Sequence, residues 1–212
     1  MIDQSIIALL LLVNLRMFAT SRVDSLVRCV AAQAFLLVCL AVVTHEGSLS
    51  REAWTFLSVT GLVKCAALPA LMTRALRSAG IRREVEPLVG YRVSLFIGLA
   101  ATGFSVWAAE KLPMPAGAAD PLVVAVALIS MITGIFLIVA RRKAISQAIG
   151  YLAMENGIYV LAPALAVHGP LIVETGVLLD VFVGVFIMGV IILHIRQEFR
   201  HIDIDRLSEL KD

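Results

Sequence analysis

Four ionisable residues in apolar surroundings define the chemistry open to this chain: Lys64, Glu155, Glu174 and Asp180. Glu155 stands in Gly150-Tyr151-Leu152-Ala153-Met154-Glu155-Asn156-Gly157, with Asn156 beside it to supply hydrogen bonds. Lys64 stands in Gly61-Leu62-Val63-Lys64-Cys65-Ala66-Ala67-Leu68-Pro69. A charged side chain at mid-bilayer costs at least ~2.5–3.5 kcal/mol, so each needs a partner, a water-filled cavity or a function. Carboxyl groups change between charged and neutral forms, and several together are what a proton path requires. Lys64 needs a carboxylate, water or a carbonyl. Pro69 frees the carbonyl of Cys65 one turn back and is expected to kink the helix there.

The remaining candidates support these four. Gly176, Asp180 and Gly184 recur every four residues and form one stripe, where glycines let a neighbouring helix approach closely. Glu174 and Asp180 are six apart and fall on different faces of the helix. Glu174 lies nearer the end of its helix, where capping or snorkelling is the alternative reading. Gln33 reads as a polar contact between helices. Asn14 and Arg16 lie toward one end of the first span, and Arg16 can snorkel. His45, His168, His194 and His201 sit near membrane ends or in the tail, without ligand spacing. Cys29, Cys39 and Cys65 form no Cys-x-x-Cys pair and read as small buried hydrophobes, so no metal or cluster is expected in this chain. There is no phosphate-binding loop, dinucleotide fingerprint or nucleophile elbow. An autonomous catalytic site is not expected.

The elements that must position these residues are membrane helices. Of 212 residues, 60% are hydrophobic and only 16% charged, against ~25% charged in soluble domains. The net charge of +2 carries no nucleic-acid signature. The fold class expected is all-α and polytopic. Seven stretches are long enough to cross the hydrocarbon, roughly 2–20, 26–44, 53–73, 91–110, 121–140, 144–167 and 170–195. Glu155 is then about eleven residues into the sixth, or ~16 Å, and Asp180 is near the middle of the seventh. The N-terminus has Asp3 and no basic region, so the first stretch reads as a retained helix rather than a cleaved leader.

Basic residues gather in alternate connectors: Arg16, Arg22 and Arg28; then Arg74, Arg77, Arg82, Arg83 and Arg92; then Arg141, Arg142 and Lys143; then Arg196, Arg200, Arg206 and Lys211 in the tail. The positive-inside rule puts the N-terminus outside and the C-terminus in the cytoplasm. The organisation expected is a four-helix region over 1–110, a three-helix region over 111–195 and a cytoplasmic tail over 196–212.

With these residues in view, the chain resembles the E membrane subunit of hydrogenase-4-type complexes. These are membrane-bound nickel–iron hydrogenases and formate hydrogenlyases related to respiratory complex I. The resemblance rests on Gly150-Tyr151 with Met154-Glu155-Asn156-Gly157, Pro170-Leu171-Ile172-Val173-Glu174 with Asp180, Lys64 with Pro69, and Leu207-Ser208-Glu209-Leu210-Lys211. The last three stretches are also similar to the small K-type subunit of complex I. Asp180 with Gly184 takes the place of a Glu-x-x-x-Gly pattern there, and Glu155 follows Gly150 by five positions rather than two.

The resemblance implies a non-catalytic subunit of an oxidoreductase complex, multi-pass in a bacterial cytoplasmic (inner) membrane. It would form part of a proton path coupled to redox chemistry in a peripheral hydrogenase arm. Its partners would be antiporter-like and other membrane subunits, and the nickel–iron centre and iron–sulfur clusters would reside in partner subunits. Two other readings remain: a subunit of a related assembly without hydrogenase, such as a cation/proton antiporter or carbon-uptake complex, and a structural scaffold.

Overall fold

The structure, a computed structural model, describes residues 2–20, 22–44, 51–78, 88–113 and 120–164, with Gly184 and Gly189 as isolated helical positions. Every regular element among them is a helix. Helix α1 is Ile2–Ala19, α2 is Val23–Thr44 and α3 is Arg51–Leu62. A π-helical segment, Val63–Ala67, follows, and then α4 (Leu68–Ser78), α5 (Tyr91–Lys111), α6 (Pro121–Ala140) and α7 (Ala144–Ala164). Among the described residues, four helices are long and apolar enough to cross a membrane: α1, α2 over Val23–Val43, α5 and α6.

The third expected span appears as α3, the π segment and α4 in direct succession. Pro69 explains the change of pitch. It has no N–H to give to the carbonyl one turn back, and the Leu68 N–H instead bonds the carbonyl of Val63, five residues earlier. The proline thus widens the helix next to Lys64. The sixth expected span is α7, which has the length of a membrane helix at 21 residues but is diluted by Gln147, Glu155 and Asn156. The seventh span and the tail lie outside the described residues, apart from Gly184 and Gly189.

Helices α1, α2, α6 and α7 form the centre. Helix α1 packs on α2, α5 and α6; α2 packs on α7 and on α3, the π segment and α4; α6 packs on α7. Helices from 1–110 and from 111–195 therefore share one core. The α6–α7 seam is the closest. Gly150, Met154 and Gly157 share one face of α7 and meet Gly134, Met131 and Ala127 of α6. A Cβ on Gly134 would collide with the Gly150 carbonyl and the Met154 backbone. One on Gly150 would stand 2.8 Å from the Gly134 oxygen, and one on Gly157 2.7 Å from the Ala127 oxygen. Gly98 of α5 likewise accommodates Phe18 of α1, whose ring stacks on Phe136 at 4.7 Å.

Helix α6 starts where the sequence directs it: Asp120 accepts the Leu122 N–H at 2.8 Å and Pro121 occupies the first turn, where its missing N–H costs nothing. The outer faces are apolar, with Phe96, Leu62 and Val139 all about two-thirds exposed or more. In a soluble protein such faces would be a liability, whereas a bilayer solvates them.

Three basic connectors meet at one end of the bundle. The Leu88 N–H bonds the Ala140 carbonyl, Arg141 reaches the Thr20 carbonyl, and the Arg141 guanidinium lies over the Tyr91 ring. Among the described residues, the ends of three basic connectors thus lie together.

Candidate functional site

Glu155 and Lys64 find each other. The Lys64 Nζ lies 2.7 Å from the Glu155 Oε1, and both side chains are buried. The site is assembled by two local features. Pro69 and the π segment place Lys64 near the centre of the helical stretch 51–78, facing α2 and α7. The glycine face of α7 is turned to α6, which leaves Glu155 and Asn156 on the remaining sides. Lys64 also stands 5.3 Å from the centre of the Tyr159 ring, one turn beyond Glu155 on α7. The ring's negative face adds a second, weaker attraction for the ammonium.

From Asn156 a second arm crosses the core. Asn156 Nδ2 donates to Gln33 Oε1 at 3.2 Å, and Gln33 Nε2 donates to Asn14 Oδ1 at 3.1 Å. Asn14 Nδ2 donates to Ser130 Oγ at 3.2 Å and to the Leu10 carbonyl at 2.9 Å. Ser130 Oγ donates in turn to the Val126 carbonyl at 2.8 Å. A backbone carbonyl only accepts, so the Leu10 contact fixes which end of the Asn14 amide is nitrogen. That choice orients Gln33 and Asn156 in sequence. All four side chains are buried. The ladder ties α7, α2, α1 and α6 together at the depth of the ion pair.

The two arms differ chemically. Lys64 and Glu155 bring an ammonium against a carboxylate, and as a pair they are neutral overall. A proton placed on Glu155 would leave the buried ammonium without its carboxylate. The amides of Asn156, Gln33 and Asn14 do not titrate. They position α7 and satisfy one another.

Among the candidates read from the sequence, Lys64, Pro69, Glu155, Asn156 and Gln33 come together. Gly184 is helical and half-buried, and no described atom lies within 4 Å of a Cβ built on it. Glu174, Gly176 and Asp180 lie outside the described residues. Asn14, Ser130 and Tyr159 belong to the site and were not expected there. Asn14 carried a usable signal, an amide inside an apolar span. Ser130 and Tyr159 carried none, since a lone hydroxyl or aromatic ring is common in membrane helices. All three cysteines are free thiols.

Over the described residues, fold and site together define an all-helical membrane protein that turns polar groups inward around a buried ion pair. Among proteins of known sequence, the chain is 39% identical over 150 residues to "Uncharacterized protein Rv0085" of Mycobacterium tuberculosis, covering 68% of this chain and 66% of that protein. It is 28% identical over 152 residues to "Hydrogenase-4 component E" of Escherichia coli K12, covering 71% of this chain and 69% of the relative; the Shigella flexneri protein of the same name matches equally. The chain spans about two thirds of the length of the curated relatives it matches. No family model and no solved structure matches.

Proposed function

We propose that the chain is a non-catalytic membrane subunit of a complex I-like hydrogenase, in which Lys64 and Glu155 form part of a proton path. The similarity to hydrogenase-4 component E supports the kind of assembly. The observation that supports the path is the buried 2.7 Å Lys64–Glu155 pair, near the middle of two helical stretches, 51–78 and α7, that this reading takes as membrane spans. Such a pair is an expensive way to join helices, because desolvation offsets most of its Coulombic gain. A change of protonation state gives it a use that leucines could not supply.

In this reading Glu155 accepts and releases the proton. Lys64 compensates the carboxylate in one state and turns to the Tyr159 ring or to water in the other. Asp180 acts as the next relay along the path, with Glu174 handing protons toward a neighbouring subunit or the outer surface. The nickel–iron centre and iron–sulfur clusters belong to partner subunits, and the membrane partners are antiporter-like. The last three spans play the part of the K-type subunit of complex I, in a bacterial inner membrane.

The test is proton flux per assembled complex. Glu155→Gln keeps the shape and one acceptor oxygen for Lys64 but cannot carry a proton. It should assemble and lose most coupled translocation. Flux equal to wild type would make the ion pair a structural clasp, the reading that the non-titrating ladder beside it would then favour.

A further inference from the structure

A second charged group is buried away from the ion pair. Arg141, the residue that ends α6, is 1% exposed and is the largest fully buried side chain in the described protein. Its Nη2 reaches the Thr20 carbonyl only at 3.4 Å, and its Nε and Nη1 donate to no described group. The Tyr91 ring lies 4.8 Å from the guanidinium carbon and is its main compensation. Cation–π attraction is weaker than the penalty of burying an arginine without an anion. Two N–H directions are thus left for an acceptor, in the planar fork that fits a phosphate or carboxylate.

The surroundings choose the anion. Arg141 stands where the basic connectors converge, with exposed Arg22, Arg92 and Arg142 at the same helix ends. These are the ends of membrane helices, so the groups at that level include lipid phosphates. An aromatic ring at a helix end, here Tyr91, is also typical of headgroup depth. Basic pockets between membrane helices on that side attract anionic headgroups. We propose that Arg141 holds the phosphate group of an anionic phospholipid, seated between the end of α1, the start of α5 and the α6–α7 turn. The long Nη2 bond to Thr20 is the contact surrendered when the fork turns to the phosphate.

Spin-labelled lipids test this directly. The full chain, with the subunits that accompany it, is reconstituted in phosphatidylcholine vesicles containing trace spin-labelled phosphatidylglycerol or phosphatidylcholine. The motionally restricted fraction of each label is then read. Wild type should prefer phosphatidylglycerol about fivefold. Arg141→Gln should remove most of that preference. Arg141→Lys, which keeps the charge and loses the fork, should fall between and covers the case in which the glutamine variant does not assemble. Arg142→Gln should cost less than Arg141→Gln. No preference in wild type, or full preference in Arg141→Lys and Arg141→Gln alike, overturns the proposal. So does an equal loss in Arg142→Gln, the mark of diffuse surface charge. Displacement of the label by millimolar inorganic phosphate reassigns the site to free phosphate and overturns the lipid assignment.

Discussion

Lys64 and Glu155 depend on each other more than either depends on its helix. Removing one member of a buried pair typically costs ~3–5 kcal/mol, because the survivor stays buried and charged or must change protonation state. Lys64→Met should therefore lower the thermal stability of the assembled complex, and adding Glu155→Gln should recover part of the loss while proton flux stays low. A double variant no more stable than Lys64→Met would show that the two side chains are not coupled. The amide ladder predicts a different signature. Gln33→Leu strands the Asn14 Oδ1 and the Asn156 Nδ2, at about 1–3 kcal/mol, and should lower the melting temperature. Its flux per complex should fall less than that of Glu155→Gln. For the proposed relay in the seventh span, Asp180→Asn should abolish most translocation, Asp180→Glu should retain part of it, and Glu174→Gln should have the smaller effect or shift the pH dependence. Normal flux in Asp180→Asn beside a dead Glu174→Gln would exchange their roles.

Glycine placement decides how the elements fit. On α6 and α7 the glycines stand where backbones touch, so Gly134→Val and Gly150→Val should force the helices apart and sharply reduce the yield of assembled complex. Gly103 of α5 has nothing within 4 Å of a Cβ built on it, and Gly103→Ala should be neutral or slightly stabilising, by up to ~1 kcal/mol from helix propensity alone. Equal yields for the Gly134 and Gly103 variants would refute the seam. Gly184 was read as a packing position like these, yet no described atom approaches it. A helix seated there would come from residues outside the described set or from another chain, and Gly184→Leu tests this through the recovery of copurifying subunits.

At the scale of the whole molecule, the described ends of three basic connectors meet at one end of the bundle, and the charge alternation along the sequence proposes that end as cytoplasmic. Reporter fusions after residue 85 and at the C-terminus should both report cytoplasm, and a periplasmic signal at either place would break the proposed topology. The apolar outer faces and buried charges also predict that the chain is degraded or aggregates when produced without the proposed partner subunits. A monodisperse, functional monomer in detergent would refute that.

The sequence by itself determined the class of protein and the short list of residues. Both follow from the cost of placing polar groups in hydrocarbon, which any apolar stretch displays openly. Lys64, Pro69, Glu155, Asn156 and Gln33 were legible for that reason. What it could not display is which polar groups meet, because contacts between helices depend on rotation about each axis and on relative depth. The tertiary structure decided both. Pro69 disturbs its helix as its chemistry requires, and the disturbance takes the form of a π segment that carries Lys64 beside Glu155. Asn14 lies toward one end of its span, and only the packed helices show that it joins Gln33 to Ser130. Arg141 looked like one of many cytoplasmic charges, and it is buried, with the Thr20 carbonyl and the Tyr91 ring beside it. Each outcome rests on packing between residues far apart in the chain, through surfaces whose complementarity exists only once the helices are side by side.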